Sequence, residues 1–384
     1  MIYWDNAATT YPKPAAVQRA MDRALTEAGA NPGRGGYPMS LRAARILLDC
    51  REQAALLCGE QDPARVILTP GCTASLNVVL QGLLRGGGRA VISDLEHNAV
   101  VRPLHALSPS QPVYDVVPVE PGDPEETVRR FAAAIRPDTR VICCTCASNV
   151  SGLCPPVRQI GRLAGQAGIP FVCDGAQAAG HRPMTPDEVP ADYLCLPGHK
   201  GLYGPMGTGL LVCRTQPAFP PLTQGGTGTA SADFVQPHEL PEGYESGTVN
   251  VPGFAGLAAG IRFVRQQGEA LPRRQAALMR EMYRILRRMP GVVLYTPEPD
   301  EEYVPVLCCN LGAWPSEQAA RLLARQGLAV RAGLHCAPLA HRKYGTLARG
   351  MVRFCPSAFT TREQMYRSCK IIEECARKAL QSEK

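Results

Sequence analysis

The chain is poor in lysine, in aromatic residues and in long apolar runs. Only six lysines occur among its 384 residues, arginine carrying most of the positive charge, and Phe, Trp and Tyr together make up 6%. No apolar stretch approaches the roughly 18–20 residues needed to cross a bilayer, so no membrane-spanning helix is expected. The start, Met1-Ile2-Tyr3-Trp4-Asp5-Asn6, has no basic segment leading into an apolar one, so no secretory signal is expected either. The net charge of +7 is not gathered into a basic run with interleaved aromatics, which argues against a nucleic-acid surface. Cys143 and Cys146 form a lone C-x-x-C without a second pair at zinc spacing, and no metal site is expected. Cysteine itself is abundant. Sixteen cysteines without a secretion signal imply a reducing, cytoplasmic setting. Most lie inside apolar runs such as Val141-Ile142-Cys143-Cys144, where Cys acts as a small hydrophobe.

The 37 glycines and 35 prolines are dispersed and mark loops, not a disordered tract. From about residue 65 to 215, short β-rich runs alternate with helical stretches: strands at 65–69, 90–93, 141–145, 171–174 and 193–196, helices at 74–84 and 156–167. That rhythm predicts an α/β fold with a doubly wound, mostly parallel sheet. Polar residues cluster just after the strands, at the edge where such sheets bind ligands. Beyond Gly253 the pattern changes to a long helix over 254–289, broken near Leu271-Pro272. Strands near 291–295, 303–311 and 328–331, a helix near 316–326 and a closing helix from Thr361 complete a smaller α+β unit.

Lys200 stands out. It lies in Leu196-Pro197-Gly198-His199-Lys200-Gly201-Leu202-Tyr203-Gly204-Pro205, a loop after an apolar strand, with glycines that let backbone approach a ligand. A desolvated Lys can become a nucleophilic amine, which Arg cannot. A loop lysine paired with an acid is the alternative. Asp174 ends the apolar strand Phe171-Val172-Cys173, where a lone carboxylate is costly unless it meets a cation. A helix-capping Asp is the alternative there. Thr69-Pro70-Gly71-Cys72-Thr73-Ala74-Ser75-Leu76-Asn77 joins a strand to a helix and offers N–H groups, hydroxyls and a helix N-terminus to a phosphate. It lacks the Gly-Lys-Ser/Thr element of a P-loop. Glu96-His97-Asn98-Ala99 follows another strand, where His97 could stack on a planar ring, shuttle a proton or be purely structural.

Taken in order from Asp5-Asn6-Ala7-Ala8-Thr9-Thr10 to Phe359-Thr360-Thr361, these motifs resemble the class V aminotransferase family. The likeness is greatest to its cysteine desulfurase and selenocysteine lyase branch. The resemblance implies the PLP-dependent transferase fold type I, with a large PLP-binding domain over residues 14–255 and a small domain made of 1–13 and 256–384. It implies pyridoxal 5′-phosphate (PLP) held as a Schiff base on Lys200, with Asp174 at the pyridine nitrogen and Gln177 near the phenolic oxygen. His97 would stack on the ring, Asn149 would sit between cofactor and substrate, and Cys72, Thr73 and His199 would lie at the cofactor. Thr248, in Glu245-Ser246-Gly247-Thr248-Val249-Asn250, would reach the phosphate of the neighbouring subunit in a homodimer. Arg353 would clamp the substrate carboxylate bidentately, with Ala8 and Arg331 beside the substrate.

Cys336, in Arg331-Ala332-Gly333-Leu334-His335-Cys336-Ala337-Pro338, matches the stretch that carries the desulfurase nucleophile. Arg331 and His335 nearby are expected to favour thiolate. The implied reaction has Lys200 take the α-proton of cysteine, the ring store electrons, and Cys336 receive the sulfur as a persulfide while alanine leaves. Two features depart from the family pattern. Pro197 stands where a serine would donate to the phosphate, and Gly201 lengthens the turn after the lysine; Gln224-Gly225-Gly226-Thr227-Gly228 is the expected substitute. Selenocysteine lyase, another PLP β-lyase or an aminotransferase are alternatives within the family. A catalytically silent partner in sulfur trafficking is the alternative outside enzymology. The Cys336 loop has no long insertion before Arg353, so a sulfur-acceptor protein would have to come to it.

Overall fold

The apolar runs between residues 65 and 215 become the strands of one seven-stranded sheet. The computed structural model describes residues 1–33 and 35–382. Its first half contains β1 (Ile2–Tyr3), α1 (Ala15–Glu27), α2 (Pro38–Cys58), β2 (Val66–Thr69), α3 (Cys72–Leu84), β3 (Arg89–Ser93), α4 (Asn98–Leu107), β4 (Tyr114–Val117), α5 (Pro124–Ala134), β5 (Thr139–Thr145), α6 (Val157–Gln166), β6 (Phe171–Asp174), β7 (Tyr193–Pro197) and β8 (Gly209–Cys213). Then follow α7 (Val251–Gln267), α8 (Ala270–Leu286), β9 (Val292–Leu294), β10 (Leu307–Leu311), α9 (Ser316–Arg325), β11 (Leu328–Ala329), β12 (Arg331–Gly333), α10 (Pro338–Lys343), β13 (Met351–Phe354) and α11 (Arg362–Gln381).

The large sheet has the order β2-β8-β7-β6-β5-β3-β4. Its pairs are parallel except where β8 lies antiparallel between β2 and β7. Alternation along the strands explains why they read as continuous apolar runs. Val66, Leu68, Ile142, Cys144, Phe171, Cys173, Leu194 and Leu196 face one core, shared with α2, α6 and α7. Ile67, Ala90, Ile92, Val141, Cys143, Val172 and Cys195 face the other, under α3 and α4. Cysteines supply side chains to both faces, where a small apolar group lets helices approach. The antiparallel β8 leaves the carboxyl ends of β2, β3, β5, β6 and β7 on one edge.

A second sheet, β12-β13-β10-β9, is wholly antiparallel. Its core is completed by α8, α9 and α11. The amino terminus belongs to this core. Ile2 and Tyr3 pair in parallel with Leu328 and Ala329, and the wholly buried Trp4 donates its indole N–H to Ser368 Oγ at 2.8 Å.

Three expected elements differ in detail. The long helix breaks at Gly268, a C-cap residue with a positive φ of 50°, and not at Leu271-Pro272. Pro272 falls in the first turn of α8, where a backbone N–H has no helical acceptor to lose. The run expected at 303–311 is strand only over β10, and the one at 328–331 divides into β11 and β12, which join different sheets. Helix α7 packs on the core of the large sheet through Phe254, Leu257 and Ile261, so residues on both sides of position 255 share that core. Among the described residues no helix is long and apolar enough to cross a membrane, and no group of three or more His, Cys, Asp or Glu could hold a metal.

Candidate active site

Five strand ends converge on a cavity of about 570 Å³. Asp174 closes β6, Lys200 follows β7, His97 follows β3, and Asn149 and Gln177 come from the turns after β5 and β6; all five line the cavity. Asp174 is 3% exposed. Its Oδ1 accepts from Ala176 N (2.9 Å) and from the Cys72 thiol (3.4 Å), and the carboxylate makes no ion pair among the described residues. Burial lowers the pKa of Lys200, opposed by the charge of Asp174, with Arg353 and Arg331 lowering it further. The amine is thereby brought closer to its neutral, nucleophilic form.

His97 caps α4, its Nδ1 accepting from Ala99 N at 3.0 Å. Burial holds its pKa down to about 4. The ring is neutral at physiological pH, and with Nδ1 occupied as an acceptor its proton sits on Nε2. Helix α3 begins at Gly71 with no side-chain cap, which leaves its first N–H groups to the cavity beside Cys72 and the exposed Thr73. His199 joins this end, with a buried Nδ1 that has no partner among the described residues. A buried carboxylate without an ion pair, an uncapped helix start and a desolvated amine lining one cavity fit a flat, phosphate-bearing ring with a cationic nitrogen.

Arg353, 2% exposed on β13, is tied to the cavity wall through Asn149. Its guanidinium donates to Asn149 O (2.9 Å) and pairs with Asp5 (3.2 Å), while its buried Nε has no partner among the described residues. Arg331 is its register partner on β12. Cys336 is the one exposed cysteine of the sixteen. Its neighbour His335 is buried against His341, rings 5.7 Å apart, and burial pushes its pKa well below the ordinary value. His335 is therefore uncharged, and the cation expected from it beside Cys336 is absent; Arg331 alone of the expected pair carries charge.

The aminotransferase class-V family model matches residues 2–367. The chain belongs to the class-V aminotransferase family. A probable cysteine desulfurase of Methanothermobacter thermautotrophicus is 32% identical over 98% of this chain and 94% of its own length. The apo structure of a cysteine desulfurase from Thermococcus onnurineus superposes with a TM-score of 0.89 at 29% identity, covering 98% of this chain and 95% of that one. An Escherichia coli cysteine desulfurase structure gives 0.86 at 25% identity, covering 97% and 94%.

In this class-V chain one expected residue lies apart. Thr248 is exposed and lines a second cavity of about 630 Å³ with Gly226, Thr227 and Gly228. The Gln224–Gly228 stretch thus sits beside Thr248 and not beside Pro197. The amino-terminal motif does more than its sequence suggests. Beyond the Asp5–Arg353 pair, Ala7 O accepts from Gln177 Nε2 (2.9 Å), and Ala8 folds back on Asp5 (3.1 Å). Thr10 N (3.1 Å) and Lys13 Nζ (2.7 Å) both donate to His199 O, and Thr10 Oγ1 donates to Lys200 O (3.0 Å). One strap therefore joins Arg353, Gln177 and the lysine loop. The scarcity of lysine was the signal available for Lys13; in the fold its amine is half-buried, and burial lowers its pKa to about 8.

Proposed function

We propose that the chain is a PLP-dependent cysteine desulfurase that converts L-cysteine to L-alanine and passes the sulfur to Cys336. The observation that carries this reading is the exposed thiol of Cys336 on a loop bound by hydrogen bonds to the wall of the Lys200–Asp174 cavity. Lys200, Asp174, Gln177, His97, Thr73, Cys72 and His199 would hold the cofactor. Bound PLP supplies an electron sink for the bond changes at the substrate's α-carbon. Asp174, buried at the end of β6 with no ion pair among the described residues, would face a protonated ring nitrogen. Lys200, its pKa lowered by burial, anchors the cofactor and takes the α-proton. Arg353 offers its unpartnered Nε–H to the substrate carboxylate, and Asn149, Ala8 and Arg331 complete the pocket around the substrate. His97, neutral with its proton on Nε2, would stack on the cofactor ring and keep that N–H as a hydrogen-bond donor.

The Cys336 thiolate attacks the substrate sulfur. The C–S bond breaks, an S–S bond forms, the freed carbon takes a proton, and alanine leaves with Cys336 as a persulfide; cysteine and one thiol become alanine and one hydrodisulfide. Selenocysteine presents the same groups to this site and is the natural second substrate to assay. Exposure of Cys336 suits hand-over to an acceptor protein that comes to the loop. The reading includes a homodimer, with Thr248 completing the site of the partner subunit. It also includes a cytoplasmic setting, which the sixteen free thiols suit.

The test measures alanine and sulfide from cysteine, together with the visible absorbance of the purified protein. Cys336→Ser is expected to keep the colour and lose persulfide formation. Lys200→Ala is expected to lose both. Full sulfide release by Cys336→Ser would sink the persulfide route, and a colourless parent protein that stays colourless with added PLP would sink the cofactor.

A further inference from the structure

His335 and Cys336 are successive residues with side chains, and both occupy the left-handed region, at φ 50° and 56°. A Cβ disfavours that conformation, and it persists only where the surroundings over-determine it. Here the carbonyls of both residues are gripped. Asn149 Nδ2 donates to His335 O at 2.6 Å, and the backbone N of Asn98 donates to Cys336 O at 2.7 Å. Beneath them Ala337 N closes a turn onto Leu334 O at 2.9 Å. The His335 ring is held from the other side by stacking on His341, which is itself fixed by Thr346 Oγ1 at 2.8 Å.

Asn149 is also the residue whose own carbonyl accepts from Arg353 at 2.9 Å. Asn98 is the first residue of α4, directly after His97. The two grips on the thiol loop thus come from the residue beside the carboxylate-binding arginine and from the residue beside the cavity histidine.

We propose that Asn149 is a positioning residue for Cys336, its side-chain amide latching the His335 carbonyl so that the loop stays in its left-handed turn and the thiol stays where it meets the substrate. The latch rests on the role given above to Cys336 and adds to it a coupling. Arg353 holds the carbonyl of the residue that carries the latch, so a shift of Arg353 on carboxylate binding would be felt at Asn149. With Asn98 holding the next carbonyl, release of Asn149 alone frees one side of the loop, and the disfavoured backbone supplies the tendency to relax.

Asn149→Asp keeps the size of the side chain and the backbone carbonyl used by Arg353, but replaces the donating amide with an acceptor. Asn149→Ala removes the donor without adding charge. Hydrogen exchange followed by mass spectrometry on the purified holoenzyme reads the loop directly. In both variants the peptide covering residues 331–337 is expected to exchange about tenfold faster or more, with peptides from β5 and β6 unchanged. At saturating cysteine, kcat is expected to fall more than KM rises, whereas loss of a simple substrate contact would raise KM and leave exchange alone. Unchanged exchange over 331–337 in both variants would overturn the latch. That outcome is separate from the assay of the parent protein: absence of desulfuration there would remove the role of Cys336 but not the exchange result.

Discussion

Glu96 is wholly buried after β3, its Oε1 accepting from Ser93 Oγ (2.5 Å) and Thr145 N (2.8 Å), while Oε2 has no partner among the described residues. Burial pushes its pKa up to about 8, against about 4.3 for an exposed Glu. Between those values the native state keeps a proton that the unfolded chain has released. Stability therefore falls as pH rises, by about 1.4 kcal/mol per pH unit, and the contribution is gone once pH has passed the folded value. Glu96→Gln cannot titrate and keeps an oxygen for Ser93 and Thr145. Its unfolding free energy is expected to decline less steeply than the parent's between about pH 5 and 8, measured by denaturant titration; parallel slopes would mean that Glu96 is already ionised in the fold. Lys200 and Asp174 are legible in the sequence because a lone charge at the end of an apolar strand is costly and so points to a use. Glu96 is not, because it lies in the connection between a turn at Leu95 and the helix cap at His97, and nothing local says that its carboxyl is buried. The neutral state of His335 is hidden for the same reason: its burial comes from His341, six residues on, through a loop that sequence periodicity does not describe.

The β7–β8 loop shows what one extra glycine does for an element. A Cβ on Gly201 would lie 2.0 Å from Ala179 O, and one on Gly180 would lie 2.2 Å from Gly201 O. The loop carrying Lys200 and the turn after Gln177 therefore meet backbone to backbone, which sets the amine against the Asp174 side of the cavity. Read as a lengthened turn, Gly201 is a departure without a reason; the contact supplies the reason. Gly201→Ala must push the two segments apart. It is expected to cost about 1–3 kcal/mol, the range for overpacking a tight contact, and to loosen PLP retention. Thermal denaturation and visible absorbance after dialysis check both effects, and a fully coloured variant of unchanged stability would show that the loops yield freely. Strand–helix alternation is legible because both faces of the large sheet are covered, so its strands are uninterrupted apolar runs. The antiparallel β8 and the split of 328–331 are not, since strand direction and sheet membership depend on partners far along the chain.

Lys200 and Thr248 line two different cavities of the chain, and their separation bears on how many chains make one working site. The first holds Lys200 and Asp174; the second holds Thr248 with Gly226, Thr227 and Gly228. Glu245 anchors the start of this second segment, both carboxylate oxygens meeting Arg51 at 2.6 Å, and Asn250 anchors its end by capping α7. Between these fixed points Thr248 faces outward. It lines a cavity other than that of its own chain's lysine, and the family resemblance implies that it serves the site of another chain. Thr248→Asp would set a carboxylate against the phosphate end of whichever site it completes, and it is expected to reduce turnover by about tenfold or more, equivalent to about 1.4 kcal/mol. A mixed dimer of Thr248→Asp with Lys200→Ala distinguishes the two arrangements. If Thr248 completes the site of the partner subunit, the Lys200-bearing protomer receives an intact threonine, and one full site per mixed dimer regains activity. If Thr248 serves its own chain, one site lacks the lysine, the other keeps the aspartate, and co-purified mixed dimers remain as slow as the Thr248→Asp protein.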